Sequence, residues 1–181
     1  IQEELGAHRQ WLPFDPPHLE DRSLGGLVAT GESGPAWMGY GELRNHVLGA
    51  TLVTGDGRPL RLGGRVVKNV AGFDLLKAVV GSRGRLGVIT SVWVRAFPRP
   101  AEDVLLVLAD ESAAALAPAA LAMGTAPVMP VSSVLVEPAP PLGAGAALLI
   151  RLQGSAPAVA ADRRTLERHA GVRLERAERQ E

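Results

Sequence analysis

Residues 64–90, GRVVKNVAGFDLLKAVVGSRGRLGVIT, decide how this chain is read. The polar start reads as a loop. Residues 74–80 read as a short helix, with Asp74 as N-cap and Gly81 as the C-terminal stop. The glycines at 81, 84 and 87 punctuate a turn, and residues 88–97 alternate as a strand that sets Val88, Thr90, Val92 and Val94 on one face. Gly81, Gly84 and Gly87 share the spacing of a dinucleotide loop. A Rossmann fingerprint, however, follows a strand and opens a helix, whereas here a helix precedes and a strand follows. By itself the motif is a glycine turn supplying positive φ.

Upstream, residues 12–17, LPFDPP, form a rigid extended stretch, because proline fixes its own φ and restricts its predecessor. Residues 25–34, GGLVATGESG, read as a glycine-rich loop around a short apolar piece; such a loop lets backbone approach a phosphate where no Cβ intervenes. Residues 47–54 and 59–62 are strands joined by the turn signal Gly55-Asp56-Gly57. Pro98-Arg99-Pro100 ends this region and divides the chain into 1–100 and 101–181.

The second half has another rhythm. Strands are expected at 104–108, 133–137, 146–152 and 172–174. Helices are expected at 112–123, kinked or broken at Pro118, and after the cap Ser155, where Val159, Leu166 and Ala170 share a face. That order, βαββαβ, is the split βαβ or ferredoxin-like pattern, so the fold class is α+β. The charged residues 175–181 read as a solvated tail.

Composition bounds the function. The 181 residues are 46% hydrophobic and 21% charged, as in a globular protein. Nineteen basic and nineteen acidic residues balance, and no basic stripe marks a nucleic-acid surface. No run of apolar residues reaches transmembrane length. Residues 1–10 lack the layout of a signal peptide. With no cysteine, cysteine-ligated zinc and iron–sulfur clusters are excluded from this sequence. Lys68 and Lys77 are its only lysines and it holds 14 prolines, which fits thermal stability and a GC-rich genome equally.

The two glycine segments belong together. Residues 23–35, SLGGLVATGESGP, resemble the second phosphate-binding segment of the vanillyl-alcohol-oxidase-like (PCMH-type) FAD-binding flavoproteins, where a Thr-x-Gly-Gly core is usual. Residues 40–49, YGELRNHVLG, are similar to the family's lead into its next strand, and Asp56-Gly57 to its hairpin. Residues 68–75, KNVAGFDL, resemble its Lys-Asn-x-x-Gly-Tyr-Asp-Leu block, and 81–90 its Gly-Ser-x-Gly-x-Leu-Gly-Val-Ile-Thr signature. These matches run collinearly from Ser23 to Thr90. Pro16-Pro17, Ser33-Gly34-Pro35 and Val66-x-Lys68-Asn69-Val70-Ala71-Gly72 are similar to the E-subunit branch of the glycolate oxidases.

The resemblance implies FAD, with Ser23, Gly25, Gly26, Thr30, Gly31, Gly34, Gly87, Val88 and Ile89 as its binding residues. It implies a partial PCMH-type FAD-binding domain at 1–100 followed by a ferredoxin-like cap at 101–181. It implies an FAD-binding subunit of a 2-hydroxy-acid oxidoreductase complex. Its partners would be a flavin-containing D-type subunit and an iron–sulfur F-type subunit, its substrate glycolate, and its place cytoplasmic, peripheral to the membrane through those partners. The alternatives are a stand-alone FAD-dependent 2-hydroxy-acid dehydrogenase and an assembly subunit without tight flavin. Ser23 replaces the usual Thr but keeps the hydroxyl; Phe73 replaces the usual Tyr and loses one. The family's first phosphate loop has no counterpart, so the chain is expected to begin in mid-domain and to bind FAD weakly alone.

No residue is assigned a catalytic or metal-binding role. His8, His18, His46 and His169 are scattered. His46, beside an apolar strand, is expected as a structural contact, and His169 suits a helix C-terminus. A stand-alone enzyme would need an arginine for the substrate carboxylate; Arg65, Arg95, Arg99 and Arg151 are the candidates.

Overall fold

The computed structural model describes residues 1–64, 75–138 and 145–177. The sequence readings at Arg65, Lys68, Asn69 and the Asp74 cap lie outside them. The chain divides into two units, Ile1–Pro98 and Arg99–Glu181.

The first unit opens with α1 (Gln2–Ala7) and β1 (Gln10–Trp11). It continues through α2 (Leu24–Thr30), α3 (Trp37–Tyr40), β2 (Val47–Val53), β3 (Pro59–Gly63), α4 (Leu75–Val79), β4 (Val88–Val94) and β5 (Phe97–Pro98). The strands β3-β2-β4 form an antiparallel sheet, and β1 pairs with β5. Helix α2 buries Leu27 and Val28 with Leu12, Phe14, Leu43, Val47, Ala50 and Leu76.

The expected hairpin forms. The amide of Thr54 donates to the Arg58 carbonyl at 3.0 Å, and that of Gly57 to the Thr54 carbonyl at 2.9 Å. The Thr54 hydroxyl, and next the Arg58 guanidinium, hold the Asp56 carboxyl below its usual pKa.

Two expectations for this unit are corrected. Residues 24–30 are not a loop but α2: Ser23 caps it by accepting the Gly26 amide at 3.0 Å, and Gly31, at φ 73°, ends it. The two glycines lower helix propensity, but the cap and the burial of Leu27 and Val28 outweigh them. Strand β4 also fails to keep one face. Thr51 pairs with Ser91 while Leu52 pairs with Ile89, so Thr90 is an extra residue in the ladder. This bulge reverses the alternation: Val88 and Thr90 are exposed, while Ile89, Val92 and Val94 pack on the core. The Thr90 hydroxyl donates to the Thr51 carbonyl at 3.3 Å, next to the irregularity.

The second unit holds β6 (Glu102–Asp110), α5 (Ala113–Gly124), β7 (Ser132–Val136), β8 (Ala146–Gly154), α6 (Ala156–Ala170) and β9 (Glu175–Arg176). Its antiparallel sheet has the order β7-β8-β6-β9, which is the split βαβ topology. Val104, Leu106, Leu148, Ile150 and Leu152 of the sheet form one core with Leu116 and Met123 of α5 and Val159 and Leu166 of α6. Ser112 and Ser155 cap the helices.

Helix α5 runs through Pro118 without a break. Proline forgoes one helical hydrogen bond, and the alanine-rich flanks together with buried Leu116, Ala119 and Met123 offset that loss. The last strand is displaced from 172–174 to Glu175–Arg176, inside the expected tail. Side chains of α6 claim the backbone of Leu174 before a ladder can: Glu167 accepts its amide at 2.9 Å and Arg163 donates to its carbonyl. Only beyond it does the chain pair, Val107 with Glu175 and Leu106 with Arg176.

Candidate functional site

The predicted residues gather at two places in the first unit. Ser23, Gly25 and Gly26 occupy the start of α2, which packs on the start of β4. A side-chain carbon at Gly25 would stand 3.6 Å from the Ile89 carbonyl oxygen, an ordinary contact. One at Gly26 would, among the described residues, meet only the Ser23 hydroxyl, at a tight 3.2 Å. Gly87, Val88 and Ile89 run beside them, and Val88 is 68% exposed.

Thr30, Gly31 and Gly34 lie at the other end of α2. They line an open cavity of about 530 Å³ together with Ser33, Trp37 and Arg44. Glu42, Val80 and Gly81 complete its wall. Arg44 follows Leu43, which is fully buried and donates its amide to the Ser33 hydroxyl oxygen at 2.7 Å. It lies two residues before His46, which is also buried. The sequence reading passed over Arg44 and Trp37, because the four-residue α3 that Trp37 opens and the short 3-10 helix at Leu43–Asn45 carry no periodic signal.

The five predicted glycines differ in what requires them. Gly34, at φ 76°, would put a Cβ 2.2 Å from the Asp15 carbonyl carbon. Gly87, at φ 147°, would put one 2.3 Å from the Val53 oxygen. Gly31, at φ 73°, abuts Gly81 at 3.1 Å. Those three serve the chain's own packing. Gly25 and Gly26 have neither positive φ nor a backbone clash, although glycine inside a helix costs up to about 1 kcal/mol against alanine. Among the described residues Gly25 would meet only ordinary contacts and Gly26 only the Ser23 hydroxyl, a geometry that fits the close approach of a diphosphate-bearing cofactor such as FAD.

His46, His169, Arg151 and Arg95 have structural partners. His46 is 4% exposed. One ring nitrogen lies 2.8 Å from the Tyr40 carbonyl oxygen, and the ring packs against Phe14 and Phe97; it is the structural contact expected. His169 meets the Thr125 hydroxyl at 3.2 Å. Arg151 forms a bidentate pair with Asp103 at 2.8 and 2.7 Å. The Arg95 guanidinium lies 6.0 Å from the centre of the Phe97 ring. His18, Glu20 and Asp21 bring ligand atoms within 4.8 Å of one another on an exposed turn, a surface grouping common without an ion.

The first unit thus lays a capped helix with two glycines in its first turn on a bulged sheet, and the second is a split βαβ unit. Residues 1–63 match the family model described as FAD binding domain, and this match together with the flavoprotein relatives indicates FAD as the cofactor. Glycolate oxidase subunit GlcE of Escherichia coli is 45% identical over 107 residues, covering 59% of this chain and 31% of that protein. D-lactate dehydrogenase of Archaeoglobus fulgidus is 40% identical over 103 residues, 56% of this chain and 23% of that protein. Glycolate oxidase subunit GlcD of Bacillus subtilis is 32% identical over 169 residues, 87% of this chain and 36% of that protein. The chain thus spans between about a quarter and a third of these relatives. A solved structure of alkyldihydroxyacetonephosphate synthase shares the fold with a TM-score of 0.79 at 20% identity, over 98% of this chain and 38% of that one. Among the described residues no helix is long and apolar enough to cross a membrane.

Proposed function

We propose that this chain is the flavin-binding part of an oxidoreductase acting on small 2-hydroxy acids, as a subunit of a glycolate-oxidase-type complex. The observation that carries this reading is the bare helical Gly25, where a side-chain carbon would make only ordinary contacts, with Ile89, among the described residues. Residues 1–100 form the second flavin-binding subdomain and 101–181 the cap. Ser23, Gly25, Gly26, Gly87, Val88 and Ile89 hold one part of FAD, and Thr30, Gly31 and Gly34 another.

FAD, when bound, accepts the two electrons taken from the hydroxyl-bearing carbon of the substrate. The chain supplies position. Ser23 fixes the start of α2, and the glycines keep the approach open. The partners are a flavin-containing D-type subunit and an iron–sulfur F-type subunit. The absence of cysteine assigns any cluster to residues outside this sequence. The complex is cytoplasmic and peripheral to the membrane. The named glycolate oxidase subunits among the relatives support this reading. The Archaeoglobus D-lactate dehydrogenase supports a second one, a stand-alone 2-hydroxy-acid dehydrogenase.

The test is the visible spectrum of the full-length protein, followed by glycolate addition with and without partner subunits. A flavin band bleached only with partners present supports the first reading. Bleaching by the protein alone supports the second, and the absence of any flavin band rejects both.

A further inference from the structure

The edges of the sheets differ in how they are protected. Strand β3 carries Pro59 and Arg61, and β4 is bulged at Thr90. Strands β1, β5 and β9 are two residues each. Proline, charge, irregularity and shortness are the devices that keep an edge from pairing with another chain. Strand β7 has none of them. It runs Ser132-Ser133-Val134-Leu135-Val136 in unbroken register with β8, and among the described residues no strand pairs with its outer side. Leu135 pairs with Leu148 and so faces the helix layer. Helices α5 and α6 pack over β6 and β8, and Leu135 stays 42% exposed.

We propose that β7 pairs with the β7 of a second copy of this chain, antiparallel about a two-fold axis through Val134, joining two four-stranded sheets into one. Charge selects the register. Strand β7 carries none, and the nearest charged residue in sequence is Glu137. An antiparallel pair centred on Val134 sets Ser133 opposite Leu135 and Ser132 opposite Val136, with Glu137 beyond the strand opposite Val131. A parallel pair in register would set Glu137 against Glu137, and like charges placed directly opposite are destabilising. The occupant follows from what the contact needs. A partner must itself bring an unguarded edge; a second copy brings the same one, so a single isologous contact covers both. Main-chain hydrogen bonds supply the affinity, as in any strand addition. The axis is normal to the sheet, so both Leu135 side chains stay on the helix side as diagonal neighbours across the new pair. This goes beyond the flavin reading and does not rest on it.

The test is the mass of the chain in solution, followed across concentration by sedimentation equilibrium without partner subunits. A reversible dimer is expected. Leu135→Lys places like charges diagonally across the axis and is expected to weaken the dimer at least about tenfold, while circular dichroism shows the parent's fold. A second variant reads the register. The sequence holds no cysteine, so Val134→Cys introduces a single thiol that meets its own copy at the axis, within the reach of a disulfide. Under mild oxidation it is expected to form a covalent dimer faster than Arg61→Cys on β3. A monomer at every concentration, a Leu135→Lys dimer as tight as the parent's, or equal cross-linking of the two cysteine variants overturns the proposal.

Discussion

The amide of Gly26 donates to the hydroxyl of Ser23 at 3.0 Å, making Ser23 the cap of a helix that carries two glycines in its first turn. Such a helix has little propensity in reserve, so the cap has an outsized effect. Ser23→Ala is expected to destabilise the chain by about 1 kcal/mol, and Ser23→Thr to restore most of it. Urea unfolding of both variants checks this; an alanine variant as stable as the parent would show that the cap contributes nothing.

Gly34 is required by packing. With φ at 76° and a Cβ only 2.2 Å from the Asp15 carbonyl carbon, no side chain fits without moving residues 15 and 34 apart. The same place is tied by the Ala36 amide donating to the Asp15 carboxylate at 2.8 Å. Gly34→Ala is expected to cost more than about 2 kcal/mol, through overpacking and backbone strain together. A thermal midpoint within a degree or so of the parent, on the usual size scaling of such shifts, would contradict this account of the residue.

What the sequence shows of the fold depends on where local and tertiary signals agree. Ser112 and Ser155 are serines before apolar-periodic runs, and both helices begin where that signal lies. The Gly55-Asp56-Gly57 turn and its strands are equally local. Helix α2 is hidden because its glycines argue for a loop, while its stability comes from Leu27 and Val28 meeting residues distant in sequence. The bulge at Thr90 is invisible because nothing in the alternation of 88–94 marks the extra residue; it exists only against β2. The shift of β9 has the same origin, since Glu167 and Arg163 must reach Leu174 across a turn. For the site, Ser23 to Gly34 was legible as motif chemistry, but not its division between two ends of one helix. Arg44 and Trp37 became visible only when the cavity brought them together.

Glu167 links α6 to the final strand. The Leu174 amide is the largest influence and pulls the Glu167 carboxyl below the usual value of 4.5; burial opposes it, and the Arg163 guanidinium adds to the lowering. A carboxyl depressed in the folded state contributes stability that is complete above the unfolded value and is lost as pH falls through the folded one. Glu167→Gln is therefore expected to be less stable than the parent at neutral pH. The difference should shrink as pH drops below about 4.5 and vanish in stronger acid. Unfolding midpoints of both proteins across this range decide it, and a gap that stays constant with pH would sink the assignment.

The most direct measurement of the central claim is the FAD content of the full-length protein and of its Gly25→Ala variant, read beside their unfolding midpoints without flavin. Among the described residues, alanine at this position meets only Ile89, its carbonyl oxygen at an ordinary 3.6 Å and its side chain at 3.9 Å, and improves helix propensity by up to about 1 kcal/mol. The account predicts a stable variant, with a midpoint at or above the parent's, that has lost most of its flavin. Full flavin in the variant, or a parent that carries none, would contradict the claim that these bare glycines hold the cofactor.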